Sequence, residues 1–213
     1  MTADRAQACW QCGRPAGGLF CQQCQALQPP PEDYFDLFGL EARLALNAAE
    51  LEERFYSLSR RLHPDLYARK PEREKQYSLE ATALLNDAHR TLRFPVRRAE
   101  YVLKRHGFDI GEQRSKDVPP ELLEEVFELN MALEEIRNGD DAARPQLEAA
   151  GEKFRAMLDE VDRGLEARFA SFDATGSRET LAEIRGVLNR RRYIQNLIRE
   201  VEKGLTANAD LSN

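Results

Sequence analysis

The chain has 213 residues, 42% hydrophobic and 32% charged, with 12 Gly and 10 Pro; this leaves room for one large or two small domains with real cores and excludes a wholly disordered chain. Its 31 Lys and Arg against 37 Asp and Glu give a net charge of −6, a field that repels phosphate backbones and anionic lipid and disfavours nucleic-acid binding outside a local basic patch. No apolar run approaches the roughly 18 residues of a membrane span, and Met1-Thr2-Ala3-Asp4-Arg5 carries neither a secretory apolar segment nor an Arg/Ser-rich presequence, so a cytoplasmic protein without membrane attachment is expected.

All four cysteines fall between residues 9 and 24, as Cys9-x2-Cys12 and, after eight residues, Cys21-x2-Cys24. Each short loop presents two thiolates to one point, and two such loops complete a tetrahedral S4 zinc site. Gly13 permits the tight turn after the second thiolate, and Gly17-Gly18 lets the chain double back. So short a segment buries too little apolar area to fold alone; a metal, worth about 10–16 kcal/mol in structural zinc sites, would supply the order. Two disulfides are disfavoured in a reducing compartment, and an iron–sulfur cluster is the alternative occupant. With no fifth Cys and no nearby His the site is closed, so the cofactor expected over residues 1–28 is structural Zn²⁺. Pro29-Pro30-Pro31 then reads as a stiff extended linker.

Beyond the prolines, apolar residues recur at helical spacing and almost nowhere alternate, so the fold class is all-α. A short helix over 31–37 carries Tyr34 and Phe35, with Phe38 just beyond. Asn47-Ala48-Ala49-Glu50 is a capping box, and Leu51, Phe55, Leu58 and Leu62 follow on one face. Pro64 forces that helix to stop at His63. The next periodic stretch runs Tyr77, Ala81, Leu84, Leu85, Ala88, Leu92, predicting an antiparallel hairpin; Val96, Ala99, Val102 and Leu103 form a helix after Pro95.

His63-Pro64-Asp65 thus sits in the loop of a helical hairpin. Taken alone, the tripeptide reads as a helix C-terminus: His suits the negative end of the dipole, Pro stops the helix and Asp starts a turn. Its flanks argue for more. Residues 54–75 hold seven bases, among them Arg54, Arg60 and Arg61, against three acids, a local +4 that calls for an acidic partner. The two other histidines, His89 on the polar side of its helix and His106 before a glycine, read as surface residues.

Residues 109–120 hold Gly, Ser, Lys, Asp and a Pro pair and read as a linker. After it, Leu122, Val126, Leu129, Leu133 and Ile136 mark one helix ending near Gly139; Phe154, Leu158, Val161, Leu165, Phe169 and Phe172 mark a longer one; Leu181, Ile184, Leu188, Ile194, Ile198, Val201 and Leu205 mark a third. Short connections predict an antiparallel three-helix bundle. The first of these helices carries a second stripe, Leu123, Phe127 and Met131, about a third of a turn from the first. It is either a wide core face or an exposed docking patch rimmed by Glu124, Glu125 and Glu128. Residues 119–141 carry eight acids and one Arg, net −7, so a basic partner is expected there.

The hairpin with its His-Pro-Asp loop and basic flanks resembles a J-domain, the module that engages a DnaK-type heat-shock ATPase. Asp33-Tyr-Phe-Asp-Leu-Phe-Gly-Leu40 and Leu92-Arg-Phe-Pro-Val-Arg-Arg-Ala-Glu-Tyr-Val-Leu103 leading to His106-Gly-Phe-Asp109 narrow the resemblance, over residues 32–205, to the HscB family of iron–sulfur co-chaperones. The four-cysteine extension is similar to that of the family's mitochondrial branch, which would place the protein in the mitochondrial matrix if a presequence precedes this numbering. Leu66 departs from the Lys that J-domains commonly carry after the Asp. The resemblance implies three parts: a zinc-knuckle module (1–28), a J-domain (32–109) and a client-binding three-helix domain (118–207). It implies that His63, Pro64 and Asp65, with Arg54, Arg60 and Arg61, bind a DnaK/HscA-type chaperone and stimulate its ATPase. By matching position, Leu123, Phe127, Glu128 and Tyr193 would bind an iron–sulfur cluster scaffold protein.

No nucleophile, matched acid and base or open metal marks an enzyme, and an adaptor, monomeric or weakly dimeric, is expected. The alternative is a J-domain adaptor for another client, using the zinc module as its binding arm. A zinc-ribbon nucleic-acid binder is disfavoured, since residues 1–28 hold only Arg5 and Arg14 as cations.

Overall fold

The chain opens on one turn used twice. In the first, the Cys9 amide donates to Arg14 O (2.7 Å) and the Gly13 amide to Cys9 O (2.9 Å); in the second, Cys21 donates to Ala26 O (3.0 Å) and Gln25 to Cys21 O (2.9 Å). The fourth residue after the leading cysteine is left-handed both times, Gly13 at φ 71° and Gln25 at φ 60°. Strands β1 (Gln7–Ala8) and β2 (Pro15–Ala16) pair antiparallel around the first turn, a two-residue exception to the all-helical reading. The computed structural model describes residues 7–108 and 120–207, in two compact units that divide between Val102 and Leu103. The 109–120 linker reading lies outside the described residues except for Pro120, which opens a 3-10 turn, Pro120–Leu122.

In the first unit, Asp33 caps α1 (Tyr34–Phe38) by accepting from the Phe35 and Asp36 amides, and left-handed Gly39 ends it. Asn47 caps α2 (Ala48–Leu62) through the Ala49 and Glu50 amides. The Glu50 carboxylate takes Arg54 one turn on. After His63 comes α3 (Pro64–Tyr67), a single turn with Pro at its start, where a missing N–H costs nothing. Then α4 (Glu72–Leu92) returns antiparallel to α2, burying Ala81, Leu85, Ala88 and Leu92. Helix α5 (Pro95–Arg105) buries Ala99 and Val102 and runs into the second unit, where Leu103 is buried. Arg98 on α5, nearly fully buried, donates to Leu44 O (2.7 Å) and Leu92 O (2.5 Å), so its charge is held against carbonyl dipoles. The prolines at 29–31 have no regular structure, yet the segment before them lies against the helices: Arg61 of α2 sits 3.9 Å from the Phe20 ring centroid and Arg73 of α4 5.4 Å from that of Trp10.

In the second unit, α6 (Leu123–Arg137), α7 (Arg144–Thr175) and α8 (Arg178–Ala207) form the expected three-helix bundle. Its core joins Leu122, Leu129, Leu133 and Ile136 to Leu147, Phe154 and Val161 and to Ile194, Leu197 and Val201. Cross-helix ion pairs run in antiparallel order, Arg155–Glu202, Arg191–Asp162 and Arg168–Glu183. The second is bidentate at 2.6 and 3.0 Å. Helix α7 begins ten residues before the first apolar residue that marks it in the sequence, bringing buried Leu147 into the core.

Candidate functional site

The thiols of Cys9, Cys12, Cys21 and Cys24 are all free and lie within 4.8 Å of one another. Cys9 Sγ is 3.6 Å from Cys24 Sγ, and Cys12 Sγ 3.7 Å from Cys21 Sγ. A tetrahedron with metal–sulfur bonds of about 2.3 Å has edges of about 3.8 Å, so the four sulfurs fit one tetrahedral ion. Burial opposes ionisation of Cys9, but the Cys12 and Gln11 amides more than offset it and bring the thiol down to about 6. The Cys24 and Gln23 amides likewise lower Cys21. At Cys24 the Ala26 amide favours the thiolate, yet burial and the other three sulfurs together push it up to about 12. Four thiolates this close repel one another, and a bound cation removes that repulsion. Gln28, buried behind the site, donates to Cys9 Sγ (3.3 Å) and to Ala26 O (2.8 Å), an outer-shell bond without a sequence signal.

The His63-Pro64-Asp65 turn is exposed in front and braced behind. The His63 and Asp65 side chains are 58% and 90% exposed. His63 Nδ1 accepts the Asp65 amide (3.3 Å), so the ring starts α3 while its backbone ends α2. Behind the turn, the Leu62 carbonyl has lost its helical donor to the proline break and takes two hydroxyls from α4 instead, Ser78 Oγ at 2.6 Å and Thr82 Oγ1 at 3.1 Å. Tyr67 Oη donates to Arg61 O (3.0 Å). Three side chains that carry no signal in the sequence therefore fix the angle of the turn.

Of the cations expected beside it, Arg60 and Arg61 are exposed near the end of α2. Arg54 is engaged within the chain: its Nη1 donates to Phe38 O and Gly39 O, and its Nε and Nη2 to Glu50. That arginine ties α2 to the end of α1. His89 is corrected from surface to interior. It is 8% exposed, stacks on Phe55 (4.1 Å between centroids) and meets Glu52 Oε2 at 3.0 Å; that contact, with Tyr56, holds the Glu52 carboxyl below the usual carboxylate range. His106 is exposed and edge-on to Phe172.

The second stripe on α6 faces solvent. Leu123, Phe127 and Met131 are 55%, 65% and 49% exposed, while Leu122, Leu129 and Leu133 one face away are buried. Glu128 is exposed beside them, whereas Tyr193 is half-buried and packs on the bundle core. The Glu125 carboxyl is lowered by its own backbone amide and by Lys153 of α7, which it meets at 3.3 Å. Met131 leads into a groove of about 490 Å³ between α6 and α7, lined also by Glu125, Glu128, Glu135 and Lys153. The patch is therefore apolar with an acidic margin, suited to a partner surface of apolar anchors and basic rim.

Residues 118–202 match the family model described as the HSCB C-terminal oligomerisation domain. The human iron–sulfur cluster co-chaperone protein HscB is 31% identical over 202 residues, spanning 91% of this chain and 80% of that protein. The chain belongs to the HscB family. The protein of the same name in Mus musculus is 33% identical over 84% of this chain and 78% of its own length. The crystal structure of human co-chaperone protein HscB superposes with a TM-score of 0.71 at 30% identity, covering 92% of this chain and 97% of the human one. Chaperone HscB from Vibrio cholerae gives 0.56 at 30% identity over 80% and 96%. The relatives are named as co-chaperones. No helix among the described residues is long and apolar enough to cross a membrane.

Proposed function

We propose that this family member is a non-enzymatic adaptor for iron–sulfur cluster assembly, presenting a cluster scaffold protein to a DnaK/HscA-type heat-shock chaperone and stimulating its ATPase. The observation that carries the reading is the exposed His63-Pro64-Asp65 turn, braced by Ser78, Thr82 and Tyr67 at the end of α2, whose last turn carries Arg60 and Arg61. Arg60 and Arg61 supply the charge for an acidic ATPase surface, and Arg54 contributes by fixing α2 against α1. A turn held at one angle loses little freedom on docking, so its few contacts convert to affinity efficiently.

The client is the scaffold protein, taken up on Leu123 and Phe127 with Glu128 and Tyr193, and the exposure of the α6 stripe supports this. Zinc is the ion proposed for Cys9, Cys12, Cys21 and Cys24; it closes the site structurally and adds no reaction. The adaptor domains are those expected from sequence, 1–28, 32–109 and 118–207, acting as a monomer or weak dimer.

Single-turnover ATP hydrolysis by a DnaK-type ATPase, with and without the protein, tests the reading. His63→Gln should abolish stimulation while leaving helicity and scaffold binding intact. Stimulation that survives the substitution refutes the role of the turn.

A further inference from the structure

The cysteine module and the helices that carry the His-Pro-Asp turn meet through two cation–π contacts. Arg61, on the last turn of α2, lies over the Phe20 ring at 3.9 Å, and Arg73, on the first turn of α4, faces Trp10 at 5.4 Å. One arginine thus comes from each helix, on either side of the turn. Both rings are held by the module's own fold. The Trp10 indole N–H donates to Leu27 O at 2.7 Å, and Phe20 is bridged to Leu27 across the second cysteine turn.

These contacts do not hide the arginines: Arg61 and Arg73 both remain exposed, while Phe20 and Trp10 are half-buried. A guanidinium held over a ring by its central carbon still has N–H groups to offer carboxylates, and it has already lost rotamer freedom that a solvated arginine would have to give up on docking. The module itself is poor in charge, since residues 7–31 contain Arg14 and no acid. Among the described residues of the module no acid therefore competes for Arg61.

We infer that Phe20 and Trp10 are positioning residues for the acidic-partner surface of the J-domain, holding Arg61 and Arg73 in the orientation in which they meet the partner's carboxylates. This rests on the proposed docking of the ATPase at α2. The cysteine module then serves the ends of α2 and α4 beside the turn as a template for Arg61 and Arg73, which gives a closed metal site a role in ATPase docking without any chemistry at the metal.

The test uses the full-length protein and a purified DnaK-type ATPase, measuring single-turnover hydrolysis over a range of co-chaperone concentrations at fixed ionic strength, with metal content by elemental analysis. Phe20→Leu should raise the half-saturating concentration about two- to fivefold, the range of one exposed cation–π contact, with the maximal stimulated rate and the metal content unchanged. Phe20→Tyr, which keeps a ring, should restore the wild-type value. Arg61→Lys leaves the module untouched and keeps the charge but loses the guanidinium over the ring; it should show the same rise. In an Arg61→Ala background Phe20→Leu should add nothing. If Arg61→Ala weakens docking while Arg61→Lys and Phe20→Leu behave as wild type, the positioning role is overturned and the docking reading stands. If Arg61→Ala itself has no effect, the docking role of Arg61 fails and the positioning role with it.

Discussion

Within the cysteine module a small cluster of Cys9, Ala16, Cys21 and Ala26 has Trp10 and Cys24 packed against it, and Leu19 and Leu27 are the larger apolar side chains buried there. The three-helix bundle buries Phe154, Leu122, Leu129 and Leu147 completely and draws Val161, Ile194, Leu197 and Val201 into the same cluster. Apart from two leucines, the first set is sulfur and methyl groups with one half-buried indole. At about 25 cal/mol per Å² it cannot offset the entropy of ordering its loops, whereas the second can offset that of its helices. One part of the chain should follow metal and protons, and the other the shape of its side chains.

Removing the ion is the sharpest way to separate them. Chelation should unfold residues 7–28, where a metal is worth about 10–16 kcal/mol of order, while the bundle keeps its thermal transition; circular dichroism with elemental analysis checks both. Acid should act in the same direction. Cys24, held up to about 12 by burial and its neighbouring sulfurs, must lose its proton to bind, so affinity for zinc rises with pH and falls as protons compete. A zinc titration at two pH values with proton release measured reads this directly. If chelation also lowers the bundle's melting temperature, the contrast fails.

In the bundle the counterpart is Phe154→Ala, which opens a cavity beside Val161 and Val201 and should cost about 3–5 kcal/mol in denaturant melts, with metal content unchanged. A gentler probe of the module is Gln25→Gly. Gln25 occupies the left-handed position that Gly13 fills in the first turn, and relief of a strain of roughly 1–2 kcal/mol should raise metal affinity severalfold; unchanged affinity would mean that the turn is not strained. The smallest effect is expected from Leu123→Ala with Phe127→Ala. Both side chains are exposed, so stability should stay within about 0.5 kcal/mol of wild type while scaffold affinity falls. A loss of several kcal/mol would make the stripe core.

Elements written within a few residues are legible in the amino-acid order by itself. The two C-x2-C loops, the Asn47 cap, the stop at Pro64 and the apolar periods of α6, α7 and α8 all appear where the spacing places them. They depend on turn geometry and helical repeat, which act over at most two turns. Gln25 shows the limit even of local reading: its backbone conformation matches that of Gly13, but its residue type carries no sign of it.

Groups that meet across long stretches of chain are decided by tertiary structure alone. His89 is followed by Arg90 and Thr91 on α4 and still becomes buried, because Glu52 and Phe55, 37 and 34 residues away in sequence, meet it from the facing helix. Leu62 O finds Ser78, Arg54 finds Phe38 O, and Arg61 finds Phe20 only when α1, α2, α4 and the cysteine turns are assembled. The two apolar stripes of α6 both recur at helical spacing, one as Leu122, Val126, Leu129, Leu133 and Ile136 and the other as Leu123, Phe127 and Met131, and either is apolar enough to be core. Docking α7 and α8 on the Leu129–Leu133 side fills that face and leaves Leu123, Phe127 and Met131 in water, because a helix of this width can bury only the faces its neighbours reach.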